Sequence, residues 1–371
     1  MSEKLSLVIP CYNEEKTLRS IVEQILHLRD RGVELELVIV DDRSRDNSLE
    51  VARQLSREYS GIKVVHHEKN RGKGAALRTG FLEATGDYVG IQDADMEYDP
   101  SDYLTLLRVI REEKADIVYG SRYLQKSSGR SVLYFWHTLM NQFLTLSSNL
   151  FTDLTITDME TCYKLFRRDV IREIAPKLQE NRFGFEPEVT ALAARSHYKF
   201  SECAIAYHPR GYEEGKKITW KDGVRALICI VKYGNAPLPT RILFFLLTGL
   251  FCLLVNTMLF PALHYCSVPL PYAVWIAYGI SAVIDLILCS IFVYRDPDAG
   301  AGRKKYNSII SLTVLLGLGV ADYFITLGLL RHLRGSWILP KLISSLVILL
   351  CKHPLRSLLA GKFRYSNAVT K

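Results

Sequence analysis

The amino-acid sequence predicts an α/β domain built on a doubly wound, mostly parallel sheet, followed by an all-helical domain of about four membrane-spanning helices. Strand patterns alternate with helix-periodic segments through the first 120 residues. The polar clusters Asn13-Glu14, Asp41-Asp42 and Asp93 to Asp95 all fall where strands end. After Arg241 the chain becomes long apolar runs joined by short basic loops. The bulk composition, 49% hydrophobic and 23% charged over 371 residues, is that of an ordinary soluble protein and hides this split.

Leu5–Pro10 reads as an apolar strand, and Leu18, Ile21, Val22, Ile25 and Leu26 then mark one face of a helix. Leu35–Val40 is the second strand, after which Ser44 to Asp46 offer N-caps for a helix reaching about Tyr59. Lys63–His67 is the third strand, and Lys73–Ala84 a helix led in by Gly72-Lys73-Gly74. Tyr88–Gln92, Ser101–Glu113 and Ile117–Gly120 follow as strand, helix and strand. Sheets of this order bind ligands beyond the carboxyl ends of their strands. Val132–Thr152 is also apolar, but His137, Asn141, Gln142 and Asn149 interrupt it. It is expected to lie on a bilayer surface or to close the site.

In the second part, Ile242–Leu263, Tyr272–Tyr294 and Ser308–Leu330 each reach the roughly 20 residues a helix needs to cross a bilayer. Trp337–Leu350 is a shorter fourth segment that carries Lys341. The expected division is therefore a catalytic domain at 1–222, a juxtamembrane segment at 223–240 and a transmembrane domain at 241–371. Its spans fall near 242–263, 272–294, 308–330 and 337–350. The 264–271 loop has no Lys or Arg, whereas the 295–307 loop holds Arg295, Arg303, Lys304 and Lys305. The tail holds Lys352, Arg356, Lys362, Arg364 and Lys371. The positive-inside rule places the catalytic domain, the 295–307 loop and the tail in the cytoplasm, with Arg331 and Arg334 running against it. A carboxylate within a span costs roughly 2.5–3.5 kcal/mol, so Asp285 and Asp322 should face the bundle. Asp322 is expected to pair with Lys341, which enters from the same side, while Asp285 has no cation in its own half.

The net charge of +8 is partly a membrane feature, since basic loops bind anionic headgroups at about 1 kcal/mol per Lys or Arg. No nucleic-acid motif accompanies it. The eight cysteines show no CxxC or metal spacing and read as reduced packing residues. The start, MSEKLSLVIP, runs directly into a strand, and no signal peptide is expected.

Asp93-Ala94-Asp95 is the sharpest chemical signal. A nucleotide sugar leaves as a diphosphate whose charge must be neutralised, and Mg²⁺ or Mn²⁺ held by one or two carboxylates does this. On an extended chain the two carboxylates share one side, and Glu97 continues the phase. An ordinary loop is the competing reading of a D-x-D taken alone. Asp42 suits base or ribose groups, with helix capping beside Ser44 as the alternative. Asn70-Arg71-Gly72-Lys73-Gly74 places glycines and cations ahead of a helix, which suits phosphate.

The stretches VIPCYNEE, IVDDRSRDNS, NRGKGAALRTGFLEATGDYVGIQDADMEYDP, VYGSRY and RGYEEGKKI fall in order across residues 5–218. With them the chain resembles family 2 glycosyltransferases of the GT-A fold, a Rossmann-like doubly wound mixed sheet, and among these the dolichol-phosphate mannose synthases. The resemblance implies a donor pocket of Pro10, Tyr12, Glu14, Val40, Asp42, Lys73, Asp93, Ala94 and Asp95. It implies a metal at Asp93, Asp95 and Glu97, and an acceptor phosphate at Arg122, Arg210 and Lys216 or Lys217. Asp95, Arg122, Arg210 and Lys216 would then be the catalytic set. Where the family commonly has Gly-Glu-Ser-Lys-Leu, this chain has RGYEEGKKI, so either lysine is the matching cation. The C-terminal region resembles the GtrA-like membrane domain. Implied is an inverting hexosyltransferase moving a sugar, mannose from GDP-mannose, onto dolichyl or polyprenyl phosphate at the cytoplasmic face of the cell membrane. UDP-glucose as donor, and a membrane domain that also translocates the lipid product, are the alternatives. Asp158 and Glu186 are candidates for sugar hydroxyls or for structural salt bridges. Phe183 to Glu186 read equally as a loop at the edge of the site or as core.

Overall fold

The structure, a computed structural model, describes residues 3–124, 134–208, 220–295, 301–333 and 337–368. It separates into two units, Met1–Asn235 and Ala236–Lys371.

The first unit is built on seven strands: β1 (Lys4–Cys11), β2 (Glu34–Asp41), β3 (Ile62–His66), β4 (Tyr88–Ile91), β5 (Ile117–Ser121), β6 (Lys164–Arg167) and β7 (Phe200–Ala204). They lie in the order β3-β2-β1-β4-β6-β5-β7. β1 pairs in parallel with β2 and β4, β2 with β3, and β5 with β7. β6 runs antiparallel to both β4 and β5, which makes the sheet mixed. Leu7, Val8 and Ile9 of β1 and Leu37 to Val40 of β2 are fully buried, because helices cover both faces of these strands.

The helices are α1 (Leu18–Leu26), α2 (Ser48–Glu58), α3 (Lys73–Glu83), α4 (Asp102–Glu112), α5 (Phe135–Thr152), α6 (Arg168–Ile174), α7 (Phe185–Arg195) and α8 (Trp220–Tyr233). α1 buries Leu18, Ile21, Val22 and Ile25, the face its periodicity marks. α5 buries Asn141, Leu144, Thr145, Ser148 and Phe151 and leaves Phe135, Trp136, Leu139, Met140, Phe143 and Leu146 exposed. α8 closes the unit through Glu180, which accepts from Arg225 (2.6 Å), Lys232 (3.0 Å) and the Tyr233 hydroxyl (2.9 Å).

One expectation fails here. β4 ends at Ile91, so Asp93 to Glu97 lie in a turn beyond the strand, with Met96 at φ 64°. The strand alternation that would align three carboxylates does not extend to them, and the turn sets their directions instead.

The second unit has four long helices: α9 (Leu238–Tyr265), α10 (Leu270–Leu288, continued by a π turn to Val293), α11 (Ala301–His332) and α12 (Ile338–Ala368). The stretches Leu238–Tyr265, Leu270–Val293, Ile309–His332 and Ile338–Arg356 are each long and apolar enough to cross a membrane. Large apolar side chains such as Leu246, Leu250, Ile287, Leu316 and Leu350 face outward. Polar ones pair inside, as lipid requires. Asn256 donates to Ser345 (2.9 Å), the Tyr278 hydroxyl to the Leu315 carbonyl (2.6 Å), and Ser281 to the Cys252 carbonyl (2.9 Å). Lys341 donates to Asp322, as expected, and Ser344 adds a second donor at 2.7 Å. The expectation for Asp285 is overturned. α12 runs on past Leu350 and carries Lys352 into the bundle, where it is buried and donates to Asp285. Lys352 is thus an internal ion-pair partner and no part of a basic tail.

Candidate functional site

A cleft of about 350 Å³ opens beyond the carboxyl ends of β1, β2, β4 and β5. Pro10, Tyr12 and Glu14 enter it from the end of β1, Asp42 from β2, and Asp93, Ala94, Asp95 and Glu97 from the turn after β4. Lys73 comes from the first turn of α3 and Arg122 from the end of β5. One sheet edge therefore gathers residues spread over more than 100 positions. Two described candidates, Val40 in β2 and Asp158, are buried and do not line the cleft. Arg210, Lys216 and Lys217 lie outside the described residues.

Hydrogen bonds tie the strand ends together. The amide of Asn13, at φ 57°, donates to Ser44 (3.1 Å), and its side-chain oxygen accepts from the Arg45 amide (2.8 Å). The Asp42 carboxylate accepts from the amides of Arg71 (2.9 Å) and Gly72 (2.6 Å) and lies 2.7 Å from Nδ1 of His67. It shapes the 70–72 loop from a position on the cleft wall. Gly72, at φ 95°, is needed for a further reason. A Cβ there would lie 2.3 Å from the Asn181 carbonyl oxygen, and one on Gly74 would lie 2.5 Å from that of Glu180. The glycine loop is therefore clasped by the 178–186 segment. Arg78 grips the same segment at the Leu178 carbonyl (2.8 Å) and the Asn181 side chain (3.0 Å).

The charges are arranged in pairs. Lys73 bridges Asp93 (3.0 Å) and Glu186 (3.5 Å). Burial pulls the Lys73 pKa down, but Asp93 and Glu186 hold it well above the usual lysine value. Arg122 grips buried Asp158 through Nε (2.7 Å) and Nη2 (2.8 Å), and its guanidinium lies over the Tyr207 ring. Burial opposes its charge, yet Asp158 keeps it well above the ordinary arginine range. Asp158 is thus the structural partner of Arg122, which decides between the two roles open to it. Glu97 accepts the Tyr207 hydroxyl (2.9 Å), and Asp95 accepts the Glu97 amide (3.3 Å).

Among the described residues no three His, Cys, Asp or Glu side chains gather into a metal cluster. A magnesium or manganese site acting on a nucleotide needs only one or two carboxylates, with phosphate oxygens and water completing it. Asp93 and Asp95, two carboxylates on one turn at the cleft, fit that requirement.

The structure adds lining residues that sequence reading did not find: Tyr98, His137, Glu160, Cys162, Arg182 and Tyr207. Most come from segments that carry no local motif. His137 belongs to the first turn of α5, which places that helix at the rim of the cleft. Glu160 carries a strongly perturbed carboxyl. Burial, then the charge of Glu186, pushes it up to about 8, and Lys164 beside it is pushed down to about 8 by its own burial. Lys164 donates to the carbonyls of Met159 (2.8 Å) and Thr161.

Comparison with known proteins adds two matches along the chain. Residues 6–175 match Glycosyl transferase family 2, and residues 244–360 match the GtrA/DPMS transmembrane domain. A dolichyl-phosphate beta-glucosyltransferase of Trichomonas vaginalis is 29% identical over 218 residues, covering 55% of this chain and 65% of that protein. One from Saccharomyces cerevisiae is 31% identical over 230 residues, covering 55% of this chain and 66% of that protein. The chain thus spans just under two thirds of the length of these relatives. Among solved structures, glucosyl-3-phosphoglycerate synthase from Mycobacterium tuberculosis, in complex with Mn²⁺, uridine diphosphate and phosphoglyceric acid, has a TM-score of 0.48. It is 19% identical and covers 63% of this chain and 80% of that one.

Proposed function

We propose, for a chain built as a family 2 glycosyltransferase domain followed by a GtrA/DPMS transmembrane domain, that it transfers a hexose from a nucleotide-diphosphate sugar to a polyprenyl or dolichyl phosphate. The observation that carries the reading is the cleft lined by Asp93, Asp95, Lys73 and Arg122, in a chain with, among the described residues, four helices long and apolar enough to cross a membrane. Anionic donor and anionic acceptor need such a mixture of charges, and a lipid acceptor needs an enzyme held at the bilayer. The relatives' names favour glucose over the mannose first implied by the sequence motifs.

In this reading the 70–74 loop and Lys73 at the start of α3 receive the donor diphosphate, where helix amides and a cation both favour it. Asp93 and Asp95 would hold Mg²⁺ or Mn²⁺, which when bound neutralises charge on the leaving diphosphate. Arg122, held rigid by Asp158, would orient the attacking acceptor phosphate, together with Arg210 and Lys216 or Lys217. That phosphate is already ionised at neutral pH, so it needs positioning and no strong base. The catalytic domain, on the charge of the 295–307 loop, would face the cytoplasm.

The test is incubation of the purified protein and a divalent ion with a panel of nucleotide sugars and a polyprenyl phosphate, followed by mass measurement of the lipid. One hexose added to the lipid from one or two donors is expected. Sugar released to water, or transferred only to soluble acceptors, would overturn the reading.

A further inference from the structure

We propose that Glu160 and Glu186 form the wall of the cleft that reads the hydroxyl groups of the transferred sugar. The inference rests on the transferase reading above. Both carboxyls line the cleft. Glu186 is 5% exposed, and the Oε1 atom of Glu160 is sealed from solvent although the residue as a whole is only half-buried. Neither Oε1 of Glu160 nor Oε2 of Glu186 has a hydrogen-bond partner among the described residues. A buried carboxyl oxygen left unmatched is costly, so a partner delivered by substrate is the economical explanation.

Position identifies the partner. Lys73 lies 3.0 Å from Asp93 and 3.5 Å from Glu186, so Glu186 stands beside the carboxylates that would meet the donor diphosphate. The sugar is the next group along the donor from that diphosphate. Glu160 lines the same cleft as Glu186 and as Arg122, the cation assigned above to the acceptor. Phosphate is a poor occupant for a wall of two acids, because it would add negative charge to negative charge. A hexose is neutral and presents hydroxyls that both donate and accept. Two carboxyl groups on one wall offer those hydroxyls several acceptor positions.

The experiment pairs deoxy donors with truncated side chains. Transfer is measured for full-length protein in detergent, with the parent nucleotide sugar and its 2-, 3-, 4- and 6-deoxy analogues. In wild type at least one deoxy analogue should lose 10-fold or more in kcat/KM. In Glu160→Ala or Glu186→Ala the loss for the hydroxyl read by that residue should shrink to 2-fold or less, since the contact is already gone. Free nucleoside diphosphate, measured by calorimetry, should bind the Glu160 variant within about 2-fold of wild type. If an alanine variant fails to fold, Glu160→Gln and Glu186→Gln keep the volume and should still reduce the penalty. Unchanged deoxy penalties in every folded variant would overturn the inference while leaving the transferase reading intact. A wild type that transfers none of the sugars would sink the transferase reading and this inference with it.

Discussion

At the scale of single residues, the site depends on pairs whose members stand far apart in sequence. Asp95 is the most direct test of the metal reading. Asp95→Asn removes a charged ligand while preserving size, so transfer should fall by at least 100-fold with an unchanged melting temperature. Activity within a few-fold of wild type would remove Asp95 from the metal site. Glu160 makes a separate prediction about pH. Its folded value of about 8 lies above the usual glutamate value of 4.5. The folded state therefore holds a proton that the unfolded chain releases, and this contribution to stability is lost as pH rises from about 4.5 through 8. Glu160→Gln has nothing to ionise, so its melting temperature should gain on that of wild type between pH 5 and pH 8. A difference that is flat with pH would show that Glu160 ionises normally.

At the scale of elements, two helices of the first unit serve the cleft from outside the sheet. α8 holds the 178–186 segment through Glu180. Burial would raise this carboxyl, but Lys232, Arg225 and Tyr233 bring it down to about 2. That contribution is present above about pH 4.5 and lost as pH falls toward 2. Glu180→Ala should cost about 1–3 kcal/mol at pH 7, toward the lower end because Arg225 and Lys232 are half-exposed and screened by water. It should also weaken nucleotide binding, because the same segment clasps Gly72 and Gly74. A thermal melt and a calorimetric nucleotide titration check both effects. α5 exposes Phe135 and Trp136 next to His137, which lines the cleft. An apolar rim of this kind fits a bilayer surface better than water. Phe135→Asp with Trp136→Asp should reduce transfer to a long prenyl phosphate in liposomes several-fold. Transfer to a short, water-soluble prenyl phosphate should change less than 2-fold, and equal losses on both acceptors would reject a membrane role.

At the scale of the whole molecule, the two units reverse each other's polarity. The first has an apolar interior with charged pairs at its cleft, and the second an apolar exterior with ion pairs inside. Asp322 with Lys341 and Asp285 with Lys352 hold α10, α11 and α12 together. Removing one member of a buried pair strands its partner's charge, whereas removing both is often close to neutral. Asp322→Asn should therefore lower the melting temperature in detergent by several degrees, and adding Lys341→Met should recover part of it. Transfer by the purified protein should stay near wild type in both variants. Normal stability in the single variant would show that the pair carries no structural weight.

Those parts of the protein whose signal is local could be read directly from the amino acids. The period of the first strands and helices was legible, as were the acidic and glycine clusters at their ends and the four long apolar runs. The Asp322–Lys341 pair was legible too, because it follows from span direction and depth alone. Tertiary structure decided the rest. β6 and β7 are only four and five residues long, and their strand form comes from pairing with partners remote in the chain. Asp42 carries a further role that its local motif does not show: it organises a loop 29 residues away, because His67 and the Arg71 and Gly72 amides close on it in space. Lys352 was read as part of a tail because hydropathy ends near Leu350, although the helix that carries it does not. Glu160 and Glu186 show no spacing that marks them as neighbours. Their shared wall and Glu160's raised pKa arise from burial in a common cleft, and burial belongs to the folded chain.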